Sequence, residues 1–158
     1  MKLDLSSLDS VFTFVEAYRE KNLPLNILVN NAGVMFGRFE LTKDNVEKQF
    51  QTNHLGHFLL TVSLFDILEK SQPSRVVSLS SMAHNMTYST GILPDVNDPK
   101  PYSETSAYGQ SKLCNLLFAK KLASKVEDKN IFVNAVHPGS IFLFFYFLFF
   151  FEFNFNLI

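Results

Sequence analysis

The apolar positions of the chain follow two spacings, one helical and one strand-like, in a regular order. Three short, continuously apolar runs are typical of buried strands, and they lie at residues 25–29, 75–79 and 131–136. Helical spacing covers the stretches around these runs, at residues 6–21, at residues 42–70 and from Ser106 onward. Ser6 or Ser7 is a suitable cap for the first helix. This order predicts an α/β fold, in which helices cover both faces of a parallel sheet.

Polar and small residues directly follow each predicted strand. They form three short segments, Asn30-Asn31-Ala32-Gly33, Ser80-Ser81 and His137-Pro138-Gly139. The carboxyl ends of parallel strands lie at the same edge of a sheet, and ligands bind in the crevice at that edge. We therefore expect these three segments to converge on one binding site, where the small residues after the first strand let a flat ligand approach the backbone.

Composition excludes several classes of function. The 158 residues include 14 basic and 15 acidic side chains, so the net charge of −1 gives no basic surface for nucleic acid. A single cysteine, Cys114, excludes an intramolecular disulfide and suits a reducing compartment. The N-terminus has no apolar run of signal-peptide length, and we do not expect secretion. None of the four histidines has the spacing of a metal site, so none is predicted.

The C-terminal residues 141–158 differ in composition from the rest of the chain. Of 18 phenylalanines, nine lie between Phe142 and Phe155. The eleven consecutive apolar residues at 141–151 are fewer than the roughly 20 that span a bilayer. Three interpretations stay open: a membrane anchor, a buried strand, or a sequence that was not selected to fold, such as an alternative terminal exon.

Tyr108 and Lys112 are the most suggestive pair for catalysis. They lie four residues apart in a predicted helix and therefore project from one face. Tyrosine has a reference pKa near 10, and a neighbouring ammonium lowers such a value by stabilising the phenolate. The pair would then act as an acid and base near neutral pH. The same spacing is also common on solvated helix faces, so the pair alone does not establish an active site.

Two further polar residues are candidates for the same site. Ser81, at the end of the second strand, is placed to donate a hydrogen bond to a substrate oxygen near Tyr108, or to bond local backbone as a turn hydroxyl. Asn53 lies in a helical stretch that Asn53 and Gly56 weaken. A kink there would present a free carbonyl or hold a water molecule, whereas a regular helix would leave Asn53 exposed.

Six motifs in fixed order resemble the classical short-chain dehydrogenase/reductase family, over roughly residues 3–140. They are Asp4-Leu5-Ser6-Ser7, Asn30-Asn31-Ala32-Gly33, Asn53-His54-Leu55-Gly56-His57-Phe58, Val77-Ser78-Leu79-Ser80-Ser81, Tyr108-Gly109-Gln110-Ser111-Lys112 and His137-Pro138-Gly139. Three features are most similar to the branch of retinol dehydrogenases and WW-domain oxidoreductases: the run from Asn53 to Phe58, the long loop before Tyr108, and the run Ser111-Lys112-Leu113-Cys114-Asn115.

The resemblance implies a role for each matching residue. The implied catalytic set is Asn53, Ser81, Tyr108 and Lys112: the tyrosine is the acid and base, the lysine supports it and holds the nicotinamide ribose, the serine orients the substrate oxygen, and the asparagine holds a relay water. The implied cofactor contacts, besides Tyr108 and Lys112, are Asp4 and Leu5 at the adenine, Asn30, Ala32 and Gly33 at the adenosine ribose, and Pro138 and Gly139 at the nicotinamide.

The resemblance also implies a reaction and its participants. The reaction is reversible hydride transfer between NAD or NADP, with NADP favoured, and a small lipophilic alcohol or carbonyl compound such as a retinoid or steroid. The implied location is the cytoplasm or the cytosolic face of the endoplasmic reticulum membrane. Membrane association, oligomeric state and the exact substrate stay open at this point.

The sequence departs from the family pattern at both ends. No glycine-rich turn precedes Gly33, although the family binds the cofactor pyrophosphate at such a turn. We therefore expect a partial, Rossmann-like, doubly wound parallel sheet that lacks the first β–α–β unit and the C-terminal strand and substrate lobe. Residues 1–140 would form this incomplete core, and residues 141–158 a tail outside the family pattern. The alternative function is then a catalytically inactive, truncated product that binds or interferes with a partner.

Overall fold

The computed structural model describes residues 1–139. A three-stranded parallel sheet lies at its centre, in the order β1-β2-β3. The strands are β1 (Ile27–Asn30), β2 (Ser74–Leu79) and β3 (Ile131–Val136). In register, Leu28 pairs with Val76, which pairs with Val133. The order of elements along the chain, the parallel pairing and the α/β class agree with the prediction, and each strand lies within two residues of its predicted start.

Helical segments connect the strands. They are α1 (Leu8–Glu20), α2 (Lys48–Phe50), a π-helix (Gln51–Leu55), α3 (Gly56–Ser63), α4 (Phe65–Lys70), a 3-10 helix (Met82–Met86) and α5 (Glu104–Lys125). The Ser7 hydroxyl accepts a hydrogen bond from the Ser10 amide, so Ser7 caps α1 as predicted. Ser103 caps α5, so this helix begins at Glu104, two residues before the expected start at Ser106.

The prediction of a single long helix over residues 42–70 is wrong. The helical region begins only at Lys48, because the carboxylate of Glu47 accepts hydrogen bonds from the Gln49 and Phe50 amides and caps it there. It also breaks at Leu64. The Arg19 guanidinium donates to the Ser63 carbonyl, and the Ile67 amide, which would bond that carbonyl in a regular helix, donates to the Leu64 carbonyl instead.

The described helices cover one face of the sheet. The core beside α1 and α3 consists of buried apolar side chains, with Leu28 of β1 packed against them: Leu5, Val11, Val15, Leu60 and Leu64. Residues of the opposite face are exposed in residues 1–139, at Ile27, Val29, Phe132 and Val136. The expectation of helices on both faces is therefore not met within the described residues. The strands carry apolar side chains on both faces, which is the pattern that suggested two covers.

The described residues end just before the phenylalanine-rich tail, so the three interpretations of residues 141–158 lie outside them. Among the helices of residues 1–139, none is long and apolar enough to cross a membrane. In the same residues, no group of three His, Cys, Asp or Glu side chains is placed to hold a metal ion.

Candidate active site

A cleft of about 180 Å³ lies at the carboxyl edge of the sheet. Its lining comes from the loops after all three strands and from α5, and includes Gly33, Leu79, Tyr108, Lys112 and Pro138. The strand ends therefore converge, as the order of the elements predicts. The helix that carries Tyr108 and Lys112 packs against β2 and β3, which places both residues beside this edge.

Lys112 is almost completely buried in the cleft, with 5% of its surface exposed. Its ammonium donates to the Leu79 carbonyl over 3.2 Å and lies 5.6 Å from the centre of the Tyr108 ring. Burial lowers the pKa of Lys112. A side chain in place of Gly33 would approach this ammonium to 3.5 Å and the Asn53 side-chain oxygen to 3.0 Å. Glycine at position 33 thus keeps the ammonium accessible from the cleft.

Asn53 lies in the π-helix and is fully buried. Its side-chain amide forms a pair of hydrogen bonds with the backbone of Val34: Oδ1 accepts from the amide over 2.7 Å and Nδ2 donates to the carbonyl over 2.8 Å. Nδ2 also donates to the Ser111 hydroxyl. The weakened helix is therefore wound as a π-helix, and its asparagine binds the loop after β1 to α5.

Asn115 is a residue of this site that the sequence reasoning named only as part of a motif. Its side-chain amide donates to the carbonyls of Asn53 (3.0 Å) and Leu79 (3.1 Å), and its oxygen lies 3.1 Å from Nδ1 of His54. Asn115 is 1% exposed. It shares the Leu79 carbonyl with the Lys112 ammonium, so it connects the π-helix, the end of β2 and the lysine.

The carbonyl that the kink was expected to leave free has partners. The Asn53 carbonyl accepts from the Asn115 amide and faces Nδ1 of His57 at 3.0 Å. Nδ1 of His57 must carry the proton of this bond, because a carbonyl only accepts. Nδ1 of His54 is protonated for the same reason, since Asn115 turns its donor group toward two carbonyls and its oxygen toward His54.

The two buried histidines make folding sensitive to pH. Burial lowers the pKa of His57 and His54, and the Lys112 charge adds to the effect at His57. The unfolded chain therefore takes up these protons first as the pH falls below about 6.5. We expect the free energy of unfolding to decrease between about pH 7.5 and pH 5.5, as measured by urea denaturation.

The double variant His54→Gln/His57→Gln tests this expectation. It should lose clearly less stability over the same pH interval than the wild type, because the buried imidazoles are gone. His137 is exposed, so His137→Gln is the control that keeps the wild-type dependence. Equal pH dependence in the wild type and the double variant would contradict the assignment. Burial also raises the pKa of Glu47, which favours the folded state as the pH falls. This contribution is common to all the variants and cancels when they are compared.

The two serines after β2 have different surroundings. Ser80 lines the Tyr108 cleft and its hydroxyl donates to the Lys112 carbonyl over 2.8 Å. The Ser81 hydroxyl accepts from the Ala83 amide over 3.2 Å and caps the 3-10 helix. Ser81 is thus half-buried and engaged locally, and its orientation of a substrate oxygen stays a prediction.

A second cleft of about 400 Å³ adjoins the first at Gly33. Asp4, Leu5, Ala32 and Thr52 also line it. The Asp4 carboxylate accepts from the side chain and backbone of Ser6, which lowers its pKa. The Thr52 hydroxyl is buried and has no hydrogen-bond partner within the described residues. The residues available to hold an extended dinucleotide are therefore Lys112 in the first cleft, Asp4, Leu5 and Ala32 in the second, and Gly33 where the two adjoin.

Two of the residues expected at the cofactor lie outside both clefts. Asn30 is 1% exposed, and its amide donates to the Thr61 hydroxyl over 2.8 Å, so it binds β1 to α3. Gly139 is exposed and has a φ of +94°, a conformation that favours glycine. Its neighbour Pro138 lines the Tyr108 cleft.

Comparison with known proteins identifies the family. The family model described as "short chain dehydrogenase" matches residues 1–93. The chain belongs to the short-chain dehydrogenase family. It is 52% identical over 149 residues to Short-chain dehydrogenase TIC 32 A, chloroplastic, of Brassica napus, a match that covers 89% of this chain and 47% of the relative. The chain is thus a family member of the branch that the motifs indicated.

Two other relatives support that branch. Retinol dehydrogenase 12 of Mus musculus is 44% identical over 140 residues, with 89% of this chain and 44% of the relative covered. The human WW domain-containing oxidoreductase is 44% identical over 150 residues, with 89% and 36% covered. The chain therefore spans less than half the length of these relatives.

Solved structures have the same fold. A Mycobacterium paratuberculosis protein of 39% identity aligns with a TM-score of 0.73, over 88% of this chain and 49% of that one. A Burkholderia cenocepacia short chain dehydrogenase in complex with NADP, 26% identical, aligns with a TM-score of 0.66 over 89% and 52%. The fold is thus part of a Rossmann-like α/β structure, and the family uses a nicotinamide cofactor.

Proposed function

We propose that the chain carries the catalytic residues of an NAD(P)-dependent oxidoreductase that interconverts a lipophilic alcohol and its carbonyl compound. The observation that carries the proposal is the buried Lys112 ammonium, 5.6 Å from the Tyr108 ring in a cleft at the carboxyl edge of the sheet. The bound nicotinamide would supply the hydride chemistry. The protein supplies the proton and the positions of the groups.

Tyr108 exchanges the proton with the substrate oxygen in this proposal. The Lys112 ammonium stabilises the phenolate through the low dielectric of the cleft, and it holds the ribose next to the nicotinamide. Ser81 orients the substrate oxygen. Asn53 holds the loop after β1 in place, and its carbonyl has two protein donors, so a relay water there would have to share that oxygen.

The cofactor would lie along the two adjoining clefts. Asp4, Leu5 and Ala32 line the cleft assigned to the adenosine half, and Gly33 stands where the two clefts meet. Pro138 lines the cleft assigned to the nicotinamide half, with Gly139 beside it. The Asn30 side-chain amide donates to the Thr61 hydroxyl, so Asn30 connects the end of β1 to α3 and does not contact the cofactor in this proposal. NADP is the favoured cofactor, because it is bound in relatives of 26% and 29% identity, although another relative of 26% identity holds NAD.

Cofactor binding tests the proposal directly. We expect the full chain to bind NADPH in a calorimetric titration, more tightly than NADH. Lys112→Ala should weaken binding about tenfold to a hundredfold, because it removes charge-assisted hydrogen bonds. Lys121→Ala, on the same helix at an exposed position, is the control and should bind as the wild type does. Equal affinity of both variants would contradict the role of Lys112.

A second candidate function is a catalytically inactive chain that binds a partner. The exposed apolar face of the sheet, which includes Ile27 and Phe132, favours it. Failure of the wild type to bind either nucleotide in the same titration would support this candidate over the oxidoreductase.

We also propose that the protein acts in the cytoplasm or at the cytosolic face of the endoplasmic reticulum membrane, where its free thiol stays reduced. The support is that Cys114 is the single cysteine of the sequence and has no intramolecular disulfide partner. A relative described as chloroplastic makes the plastid the competing location. Fractionation of cells that express the tagged full chain would distinguish these locations.

A further inference from the structure

The loop after β1 holds an aromatic residue in a strained backbone conformation. Phe36 has a φ of +63°, in the left-handed region that bulky side chains avoid, and Gly37 follows with a φ of +134°. Strain of this kind persists only where the surrounding structure holds it, and it is concentrated at functional sites.

Hydrogen bonds from two helices hold this loop. The Phe36 amide donates to the side-chain oxygen of Gln49, which is 3% exposed, and the Gln49 amide donates to the Tyr102 hydroxyl and to the Glu104 carbonyl. The Gly37 amide donates to the Glu104 carboxylate, and the Tyr102 hydroxyl donates to the Gly37 carbonyl. The loop is thus fixed to α2 and to the first turn of α5, the helix that carries the active-site tyrosine.

The Phe36 ring lies beside Tyr108. The two ring centres are 6.3 Å apart and the planes are inclined by 51°. Half of the Phe36 surface is exposed, and Phe36 lines a neighbouring cleft of about 640 Å³ that adjoins the Tyr108 cleft at Val34 and Met35. The two preceding residues, Val34 and Met35, line the Tyr108 cleft itself.

A second group of exposed apolar side chains lies on the 3-10 helix after β2. Met82 and Met86, on the 3-10 helix, are 62% and 53% exposed. This helix packs against α5 at Gly109, where an added side chain would come within 2.6 Å of the Ala83 carbonyl. The helix that carries these two exposed methionines therefore packs against α5 at the residue next to Tyr108.

We propose that Phe36 is a specificity-determining residue of the Tyr108 site: its ring is the wall against which the hydrocarbon part of the substrate packs. The residue selects alcohols and carbonyl compounds with an extended apolar group over short ones. Gln49 is the positioning residue that holds the ring there. This inference rests on the proposed oxidoreductase function and names Phe36 as the residue that recognises the hydrocarbon part of the substrate.

Binding of two alcohols tests the proposal. Octanol and propanol are titrated calorimetrically into the full chain, with and without NADPH, because an alcohol and a reduced cofactor form a complex that does not react. Phe36→Ala and Phe36→Gly should weaken octanol binding about tenfold and change propanol binding less than about twofold, since only the longer chain reaches the ring. Phe36→Leu should retain most of the octanol affinity. Phe12→Ala is the matched control, because Phe12 is 52% exposed on α1.

Phe36→Gly also separates substrate recognition from folding. Glycine adopts a positive φ without strain, so this variant should keep or raise the thermal midpoint while it loses octanol binding. The proposal is overturned if the wild type does not bind octanol, if octanol binding survives in Phe36→Gly, or if both alcohols lose affinity equally. If the wild type binds octanol through Phe36 but binds no NADPH, the role of Phe36 stands and the oxidoreductase function is contradicted.

Discussion

Replacing Tyr108 by phenylalanine is expected to reduce turnover by at least about 100-fold, the usual contribution of a positioned acid and base. The variant removes only the hydroxyl. It keeps the ring that contacts Phe36 and lies near the Lys112 ammonium. NADPH affinity, measured by calorimetry, should therefore change less than about threefold, while the rate of NADPH oxidation with octanal falls.

Tyr18→Phe is the matched control for this experiment. The Tyr18 hydroxyl donates to the Pro24 carbonyl and Tyr18 lines neither cleft, so its loss should leave turnover unchanged. A Tyr108→Phe variant with turnover near that of the wild type would contradict the assigned role. A wild type that binds NADPH without turning over octanal, decanal or retinal would instead support the inactive, partner-binding candidate.

Replacing Asn115 by leucine is expected to lower the free energy of unfolding by about 3 kcal/mol or more, because each buried polar group left without its partner costs about 1–3 kcal/mol. The variant removes both donors to the Asn53 and Leu79 carbonyls and the acceptor that faces His54. Leucine has the same number and branching of side-chain heavy atoms as asparagine, so the substitution creates no cavity. Urea denaturation measures the effect.

Two comparisons make this prediction specific. Asn134→Leu, at an exposed position of β3, should change the unfolding free energy by less than about 0.5 kcal/mol. Asn115→Asp keeps the oxygen toward His54 but turns an acceptor toward two carbonyls, so it should also be strongly destabilising. A loss below about 1 kcal/mol in Asn115→Leu would mean that the site is held by other contacts.

The active-site residues were only partly predictable. The spacing of Tyr108 and Lys112 was visible because both lie on one helix, four residues apart. Gln49 and Asn115 gave no such signal. The partners of these two residues are distant in sequence, as in the contacts of Gln49 with Tyr102 and of Asn115 with Asn53, so no local pattern shows which groups they bond, even though Asn115 belongs to a family-like motif. The strain at Phe36 was likewise hidden, because it depends on those distant hydrogen bonds.

By itself, the sequence determined the order of strands and helices, the convergence of the strand ends at one edge, and the pair formed by Tyr108 and Lys112. These features follow from apolar spacing and turn residues, which act over a few positions. Only the tertiary structure decided where the helical region over residues 48–70 is interrupted, and that Ser80 lines the cleft while the Ser81 hydroxyl caps the 3-10 helix. Those outcomes depend on groups that are distant in sequence. The Arg19 guanidinium, for example, bonds the Ser63 carbonyl, which a local helical pattern would pair with an amide of the same helix.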